Sequence, residues 1–142
     1  MTARQRILRV LDANINRARE GLRVSEDVAR LGFGMRRPFA RLRALRHRLN
    51  AAVRKLPVTQ AELARARDSA ADPGRRAPAS AVRSIEHVLL INLQRTKEAL
   101  RVLEEASRLA APRQTAQFQR LRFDTYEVER ELLLALAAVR HR

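Results

Sequence analysis

Two stretches of the chain, ANINRAREGLRVSEDVARL at Ala13–Leu31 and INLQRTKEALRVLEEASRL at Ile91–Leu109, repeat one polar pattern 78 positions apart. Around each stretch, mainly apolar residues recur at alternating steps of four and three, which is the spacing of a helix with one buried face. The predicted buried positions are Leu11, Ile15, Ala18, Leu22, Ser25 and Ala29, and then Leu89, Leu93, Thr96, Leu100, Leu103 and Ser107. The sequence therefore predicts two matching long helices that share a core.

Capping residues and helix breakers place the ends of these two helices. Thr2 and Gln5 have the spacing of a capping box, and the segment Gly32–Gly34 ends the first helix. Ser80 is predicted to cap the helix of the second repeat, which ends near Pro112. Both predicted helices are long enough to span a small domain.

A second amphipathic helix is predicted after each repeat. Pro38 suits the first turn of one of them, and the other runs from about Gln114 to the C-terminus. The segment RLRALRH at Arg41–His47 loosely matches RLRFDTY at Arg120–Tyr126, which pairs their last residues with each other. Each half of the chain is therefore predicted to be a helix pair.

The segment that joins the halves is predicted to be a short helix followed by a loop. Thr59 and Glu62 have the spacing of another capping box, and RDSAADPGRRAPAS at Arg67–Ser80 is rich in turn-forming residues. We predict a single all-α domain over 1–142, a bundle of four long helices and one short helix, internally duplicated with pseudo-twofold symmetry. Repeat 1 covers about 4–56, the linker 57–80 and repeat 2 about 81–142.

Composition limits the functional classes. The 142 residues include no cysteine and no apolar run near the roughly 18 residues of a membrane span, which predicts a soluble cytoplasmic protein. The formal net charge of +15 admits nucleic acid, anionic lipid or small phosphorylated ligands as partners. The charge is uneven, since Arg36–Lys55 holds eight basic and no acidic residues, whereas the repeats balance arginine with glutamate.

The polar residues of the repeats keep their type and order, whereas the core positions drift. A solvated ladder of ion pairs would tolerate lysine for arginine, while a polar centre around a ligand would not. We favour the polar centre, in which arginines bind phosphate and glutamates orient them or hold a metal. The matching positions are Asn14, Arg17, Glu20, Arg23 and Glu26, and then Asn92, Arg95, Glu98, Arg101 and Glu104.

Three polar positions outside the repeats are further candidates. Asp68 and Asp72 in the loop could bind Mg²⁺ together with substrate phosphates, or they could simply cap turns. His47 lies on a basic helix face that could be surface or binding site. The four glycines permit neither a P-loop nor a G-x-G-x-x-G motif, so arginines would have to hold any nucleotide.

Four ordered blocks of the chain resemble a known family. The blocks are Asp12–Asp27, Leu42–His47, Arg67–Gly74 and Asn92–Glu105, and together they cover nearly the whole chain. They are similar to the alternative, non-ribokinase hydroxymethylpyrimidine phosphate kinase family of bacterial thiamin biosynthesis, which is often fused to thiamin phosphate synthase. The resemblance implies transfer of the γ-phosphoryl group of ATP, with Mg²⁺, to 4-amino-5-hydroxymethyl-2-methylpyrimidine phosphate.

Roles are predicted for fourteen positions. The predicted catalytic residues are Glu20, Arg23, Glu98 and Arg101, and the predicted substrate- and phosphate-binding residues are Asn14, Arg17, Asn92, Arg95, His47 and Arg67. The predicted metal ligands are Asp68, Asp72, Glu26 and Glu104.

Three other interpretations stay open. The chain could be a non-catalytic module that docks on thiamin phosphate synthase, a basic nucleic-acid-binding protein, or an isomerase resembling helical chorismate mutases. Few aromatic residues and the charge-balanced repeats disfavour nucleic acid. Thiamin phosphate synthase and a second copy of the chain are the candidate protein partners, and no membrane partner is expected.

Overall fold

The computed structural model describes residues 1–140, and this part of the chain is helical without any strand. It confirms the all-α class with four long helices and one short helix. A π-helix at Val28–Gly32 extends the first helix, and a 3₁₀ turn at Pro112–Gln114 precedes the last. The α-helices are α1 (Ala3–Asp27), α2 (Arg36–Arg54), α3 (Gln60–Ala66), α4 (Ile85–Ala110) and α5 (Thr115–Arg140). The predicted continuation of the last helix over 141–142 lies outside the described residues.

Most helix ends follow the predicted side-chain chemistry. The capping boxes of Thr2 and Thr59 are both formed, and Gly34 takes a left-handed φ of 62° in the break before α2. The prediction that Ser80 caps α4 was wrong. Ser84 caps it instead, because its Oγ accepts a hydrogen bond from the backbone N–H of His87. Residues 81–84 are exposed, so extending the helix back to Ser80 would bury no apolar surface.

The four long helices form a bundle in which each helix packs against two others. The pairs are α1 with α2, α2 with α5, α5 with α4, and α4 with α1. Gly21 approaches Thr96 and Gly32 approaches Ile85, so α1 and α4 run antiparallel. All twelve predicted core positions are buried, and Phe118 of α5 is fully buried beside them. None of the helices within residues 1–140 has the length and apolar character that crossing a bilayer requires.

Matching positions of the two halves make matching contacts. An asparagine side chain donates to a carbonyl one turn earlier in α1 and again in α4, and a buried glutamate of each helix binds an arginine of the next long helix. The contacts are Asn14 to Val10 and Asn92 to Val88, and Glu26 to Arg46 and Glu104 to Arg122. Internal duplication stays a prediction, and these contacts support it.

The match between α2 and α5 has a different register from the one that the sequence predicted. The ion pairs make Arg46 equivalent to Arg122, a spacing of 76, so His47 corresponds to Phe123 rather than Tyr126. The shared letters RLR misled the comparison, because they would set buried Leu45 against a half-buried aspartate. Burial, rather than letter identity, sets the register of packed helices.

Candidate functional site

The two repeat helices cross at a point where their polar rows face the same space. Gly21 permits close approach, since a Cβ there would lie 2.9 Å from the backbone carbonyl oxygen of Asn92. A cleft of about 460 Å³ lies beside this crossing. We call it the central cleft, and it is lined by Asn14, Arg17, Glu20 and Gly21 of α1 and Asn92, Arg95, Glu98, Ala99 and Val102 of α4.

Four charged side chains of the central cleft have no protein partner. Within residues 1–140, Arg17, Glu20, Arg95 and Glu98 form neither a salt bridge nor a hydrogen bond, and all four are exposed. A ladder of ion pairs therefore does not account for these side chains. Their charges are available to a ligand that enters the cleft.

The asparagines of the repeats are anchored in the cleft wall. Asn14 is 5% exposed and donates to the carbonyl of Val10 at 2.9 Å, and Asn92 donates to the carbonyl of Val88 at 2.8 Å. Each bond fixes the rotamer of one side-chain amide. The two amides are therefore held in place at matching points beside the arginines.

The matching glutamates Glu26 and Glu104 do not fit their predicted role as metal ligands. Glu26 and Glu104 are 2% and 5% exposed, and both carboxylate oxygens of each accept hydrogen bonds from arginine. The pKa of Arg46 is raised, first by its hydrogen bond to Glu26, and the pKa of Arg122 is raised in the same way by Glu104. These pairs instead join α1 to α2 and α4 to α5.

Arg23 and Arg101 occupy matching positions but have different surroundings. Arg23 lies 3.5 Å from Asp27, whereas Arg101 lies 3.4 Å from both Glu104 and Glu105. Each of these two arginines thus has a carboxylate one turn away, an aspartate for Arg23 and glutamates for Arg101. The glutamate partners expected for Arg17 and Arg95 in the same row are not observed within residues 1–140. Neither lines the central cleft, and only Arg23 lines the neighbouring cavity between α1, α2 and α3.

That neighbouring space, which we call the flanking cavity, has a volume of about 780 Å³ and shares Glu20 with the central cleft. Its other lining residues are Arg19, Arg23, Arg46, Asn50, Val53, Arg54, Val58, Gln60 and Leu63. Sequence reasoning missed Arg19, because lysine stands at the matching position 97 and the two letters do not repeat. The sequence did contain an indication, because this is the one basic position of the repeat at which arginine in the first copy becomes lysine in the second.

The loop aspartates lie beside a third space, of about 400 Å³, which also reaches Glu20. Arg67, predicted to bind phosphate, donates two hydrogen bonds of 2.7 Å to Asp12, and this bond raises the pKa of Arg67. Asp68 and Asp72 each use Oδ1 to accept a backbone N–H, from Ala71 and Gly74 respectively. The turn-capping alternative is therefore observed, while Oδ2 of each aspartate has no partner within residues 1–140.

Magnesium fits these two aspartates only in company with a ligand. No group of three or more metal-binding side chains occurs within the described residues 1–140. Mg²⁺ commonly uses one or two carboxylates plus substrate phosphates and water, and the free Oδ2 atoms of Asp68 and Asp72 can supply the protein part. His47 is exposed on α2 and lines none of the three spaces described above.

Comparison with known proteins places this arrangement in a family. The model of the ThiD2 family matches residues 9–131. The chain belongs to the ThiD2 family. The match spans both repeats, the linker and most of α5, so the central cleft, the flanking cavity and the loop aspartates all lie inside the family domain.

Curated relatives of this ThiD2 chain are named thiamine-phosphate synthase. That of Gloeobacter violaceus is 40% identical over 128 residues, which cover 88% of this chain and 36% of the relative. That of Nostoc punctiforme is 40% identical over 132 residues, covering 91% and 36%, and that of Synechococcus sp. (strain CC9605) is 37% identical over 138 residues, covering 96% and 38%. The chain thus spans little more than a third of these relatives, which support a role in thiamin biosynthesis. No solved structure gives a significant match.

Proposed function

We propose that this ThiD2 chain is an ATP-dependent kinase that converts 4-amino-5-hydroxymethyl-2-methylpyrimidine phosphate to the diphosphate. One observation carries the proposal, namely that Arg17 and Arg95 face a single cleft from matching helices without a protein partner. Planar guanidinium groups bind phosphate oxygens through paired hydrogen bonds. A cleft of about 460 Å³ suits a ring with one phosphate group.

The reaction explains why arginines are needed. An oxygen of the substrate phosphate attacks the γ-phosphorus of ATP, a new P–O bond forms, the bond to the β-phosphate oxygen breaks, and ADP leaves. Both reacting groups are anions, so their repulsion must be offset by fixed positive charge. Arg17 and Arg95 would hold the acceptor phosphate, and Glu20 and Glu98, which line the same cleft, would orient these arginines once the phosphate is bound.

Magnesium has a place in this proposal beside the loop. Asp68 and Asp72 would hold the ion through their free Oδ2 atoms together with the phosphates. The ion would neutralise part of the negative charge of the phosphates. The loop therefore contributes to phosphate binding without a preformed metal cage.

Direct product analysis tests the kinase. Purified protein with Mg²⁺, ATP and the pyrimidine phosphate should form ADP and the pyrimidine diphosphate. A coupled assay detects the ADP, and phosphorus NMR detects the diphosphate. ADP formation should depend on the pyrimidine phosphate, and the unphosphorylated alcohol should be a poor substrate. Arg17→Ala protein, purified in parallel, is the control for contaminating kinases.

The second candidate function is a non-catalytic module that docks on thiamin phosphate synthase. The relatives are named thiamine-phosphate synthase, and the part that matches this chain is little more than a third of each. A module that accompanies a synthase would fit both facts. If this chain makes no diphosphate under conditions where a ribokinase-type enzyme does, the kinase proposal fails. A gain in synthase activity on adding the chain would then support the module.

A further inference from the structure

In the second half, side chains occupy the place that corresponds to the flanking cavity. In the first half, Nε of Arg19 donates to Oδ1 of Asn50 at 2.7 Å, and the space beyond is open. In the second half, Lys97 takes the place of Arg19 and binds Glu129 at 2.8 Å. The ring of Tyr126 lies over Lys97, 4.7 Å from ring centroid to Nζ.

Three substitutions between the halves contribute to this difference, together with α3, which packs against α1 of the first half. At the spacings of 78 and 76, Lys97 matches Arg19, Tyr126 matches Asn50 and Glu129 matches Val53. The second half thus gains an acid and a ring at these points, and Lys97 is only 8% exposed beneath the ring of Tyr126, which is itself 43% exposed. The first half has a smaller amide and no acid at the same points, so the open cavity is a specific feature of the first half.

Positive charge in the flanking cavity exceeds the charge that its neighbours neutralise. Arg46 is paired with Glu26, and Arg23 lies 3.5 Å from Asp27. Within residues 1–140, Arg19 and Arg54 form no salt bridge. The pKa of Arg19 is lowered, first by burial and then by the charge of Arg54. The charge of Asp12 offsets this lowering only in part, so Arg19 and Arg54 still repel each other, and a bound anion would relieve that repulsion.

The two ends of the flanking cavity differ in chemistry. Arg23 and Arg46 lie at one end, because α1 and α2 are antiparallel and Glu26 joins them there. Val58 and Leu63 lie at the other end, where α3 packs against α1. The cavity therefore suits a ligand with an apolar, flat part and several negative charges.

We propose that the flanking cavity binds the nucleoside triphosphate, with its base against the wall of Val58 and Leu63 and its phosphates among Arg19, Arg54 and Arg23. This inference rests on the proposed function, which requires a nucleotide and leaves its position open. Glu20 lines both spaces, so the terminal phosphate would meet the acceptor phosphate at the junction of the cavity and the cleft. The nearly symmetric chain would thus use its centre for the acceptor and one flank for the donor.

Equilibrium binding of the non-hydrolysable β,γ-imido analogue of ATP tests the position without requiring turnover. Arg54→Ala removes an unpaired charge, and Asn50→Tyr introduces the ring that closes the second half. Each should weaken binding of the analogue by about tenfold or more, the loss expected for one charged hydrogen-bond donor or for a blocked site. Arg130→Ala is the matched control, because this exposed residue of α5 corresponds to Arg54, and it should bind within about twofold of the wild type.

The possible results separate this inference from the proposed function. If both cavity variants bind the analogue as the wild type does while Arg17→Ala loses it, the nucleotide lies in the central cleft and the inference is overturned, although the kinase stands. If the wild type neither binds the analogue nor forms diphosphate, the proposed function fails and the inference fails with it. If inorganic triphosphate displaces the analogue at equal affinity, the assignment of the base to the apolar wall is wrong.

Discussion

At the scale of single residues, the unpaired arginines of the central cleft should matter most for turnover. Removing one donor that stabilises the charge of the transition state typically costs on the order of a hundredfold in rate. We expect Arg17→Ala and Arg95→Ala each to lower kcat/KM for the pyrimidine phosphate by about that factor, with helical circular dichroism unchanged. The coupled ADP assay measures kcat/KM for each variant.

Arg43→Ala is the control for these variants, because Arg43 is exposed on α2 and lines none of the three spaces described here. It changes the net charge by the same amount and should alter kcat/KM by only a few-fold. Equal losses in all three variants would mean that net charge, rather than the cleft, governs activity.

Arg23 and Arg101 offer a second test at this scale, since they match in sequence and differ in surroundings. Arg23 lines the flanking cavity, whereas Arg101 is held between Glu104 and Glu105. Arg23→Ala should raise the KM for ATP by about tenfold, the loss expected for one charged contact, and Arg101→Ala should leave it nearly unchanged. Steady-state kinetics with ATP varied measures both, and a larger effect at Arg101 would contradict the assignment.

At the scale of helices, the crossing of α1 and α4 depends on Gly21. A Cβ at this position would meet the side chain of Thr96 and the backbone carbonyl of Asn92. Alanine favours a helix over glycine by about 1 kcal/mol, but the backbone contact forces the helices apart, and such overpacking costs about 1–3 kcal/mol. We expect Gly21→Ala to lower both the stability in urea and the activity, since the central cleft widens.

Gly74→Ala is the matched control for Gly21→Ala, because it makes the same substitution away from the helix crossing. The atom nearest to a Cβ at Gly74 is Oδ1 of Asp72 at 3.2 Å, the end of a side chain in an exposed loop. This variant should stay within about 0.5 kcal/mol of the wild type, as is usual for exposed positions. A stable, fully active Gly21→Ala protein would show that the close approach is dispensable.

The docking of α3 on α1 predicts a pH effect at Glu62. Its pKa is lowered, first by the hydrogen bond from Arg4 and then by that from the backbone of Thr59. A lowered pKa in the folded state means that this contribution to stability is present above the ordinary glutamate value of about 4.3 and is lost as pH falls below it. Carbon NMR of Glu62 should titrate below that value, and Arg4→Ala should move the midpoint back towards it.

At the scale of the whole molecule, the sequence predicts periodic features and fails where long-range contacts decide. The buried seams, the capping boxes of Thr2 and Thr59 and the break at Gly34 depend on neighbouring residues, and all were predicted. The partners of Glu26 and Glu104 come from other helices, so their repeated letters indicated a metal site instead of ion pairs with arginine. The flanking cavity was missed because it exists only where three helices meet.

The basic helix α2 shows the same limit. Of its seven basic residues, four pair with acids that other helices supply, namely Arg37 and Arg41 with Glu131, Arg46 with Glu26, and Arg48 with Asp124. A run of sequence without acids thus becomes a partly neutralised surface once the bundle forms. This weakens the nucleic-acid interpretation, which relied on that run.

The asymmetry between the halves makes a last prediction about stoichiometry. Because Lys97, Glu129 and Tyr126 close the second half, calorimetric titration with the imido analogue should give one site per chain. Glu129→Val together with Tyr126→Asn restores the residues that stand at the open positions, and Lys97→Arg completes the exchange. The triple variant should bind a second nucleotide, more weakly than the first. The reason is that α5 continues without a break through Leu134, the position matching Val58, whereas α2 ends at Arg54 and is followed by α3. A wild-type ratio of two would show that the closed half binds nucleotide as well, and the difference between the halves would then need another explanation.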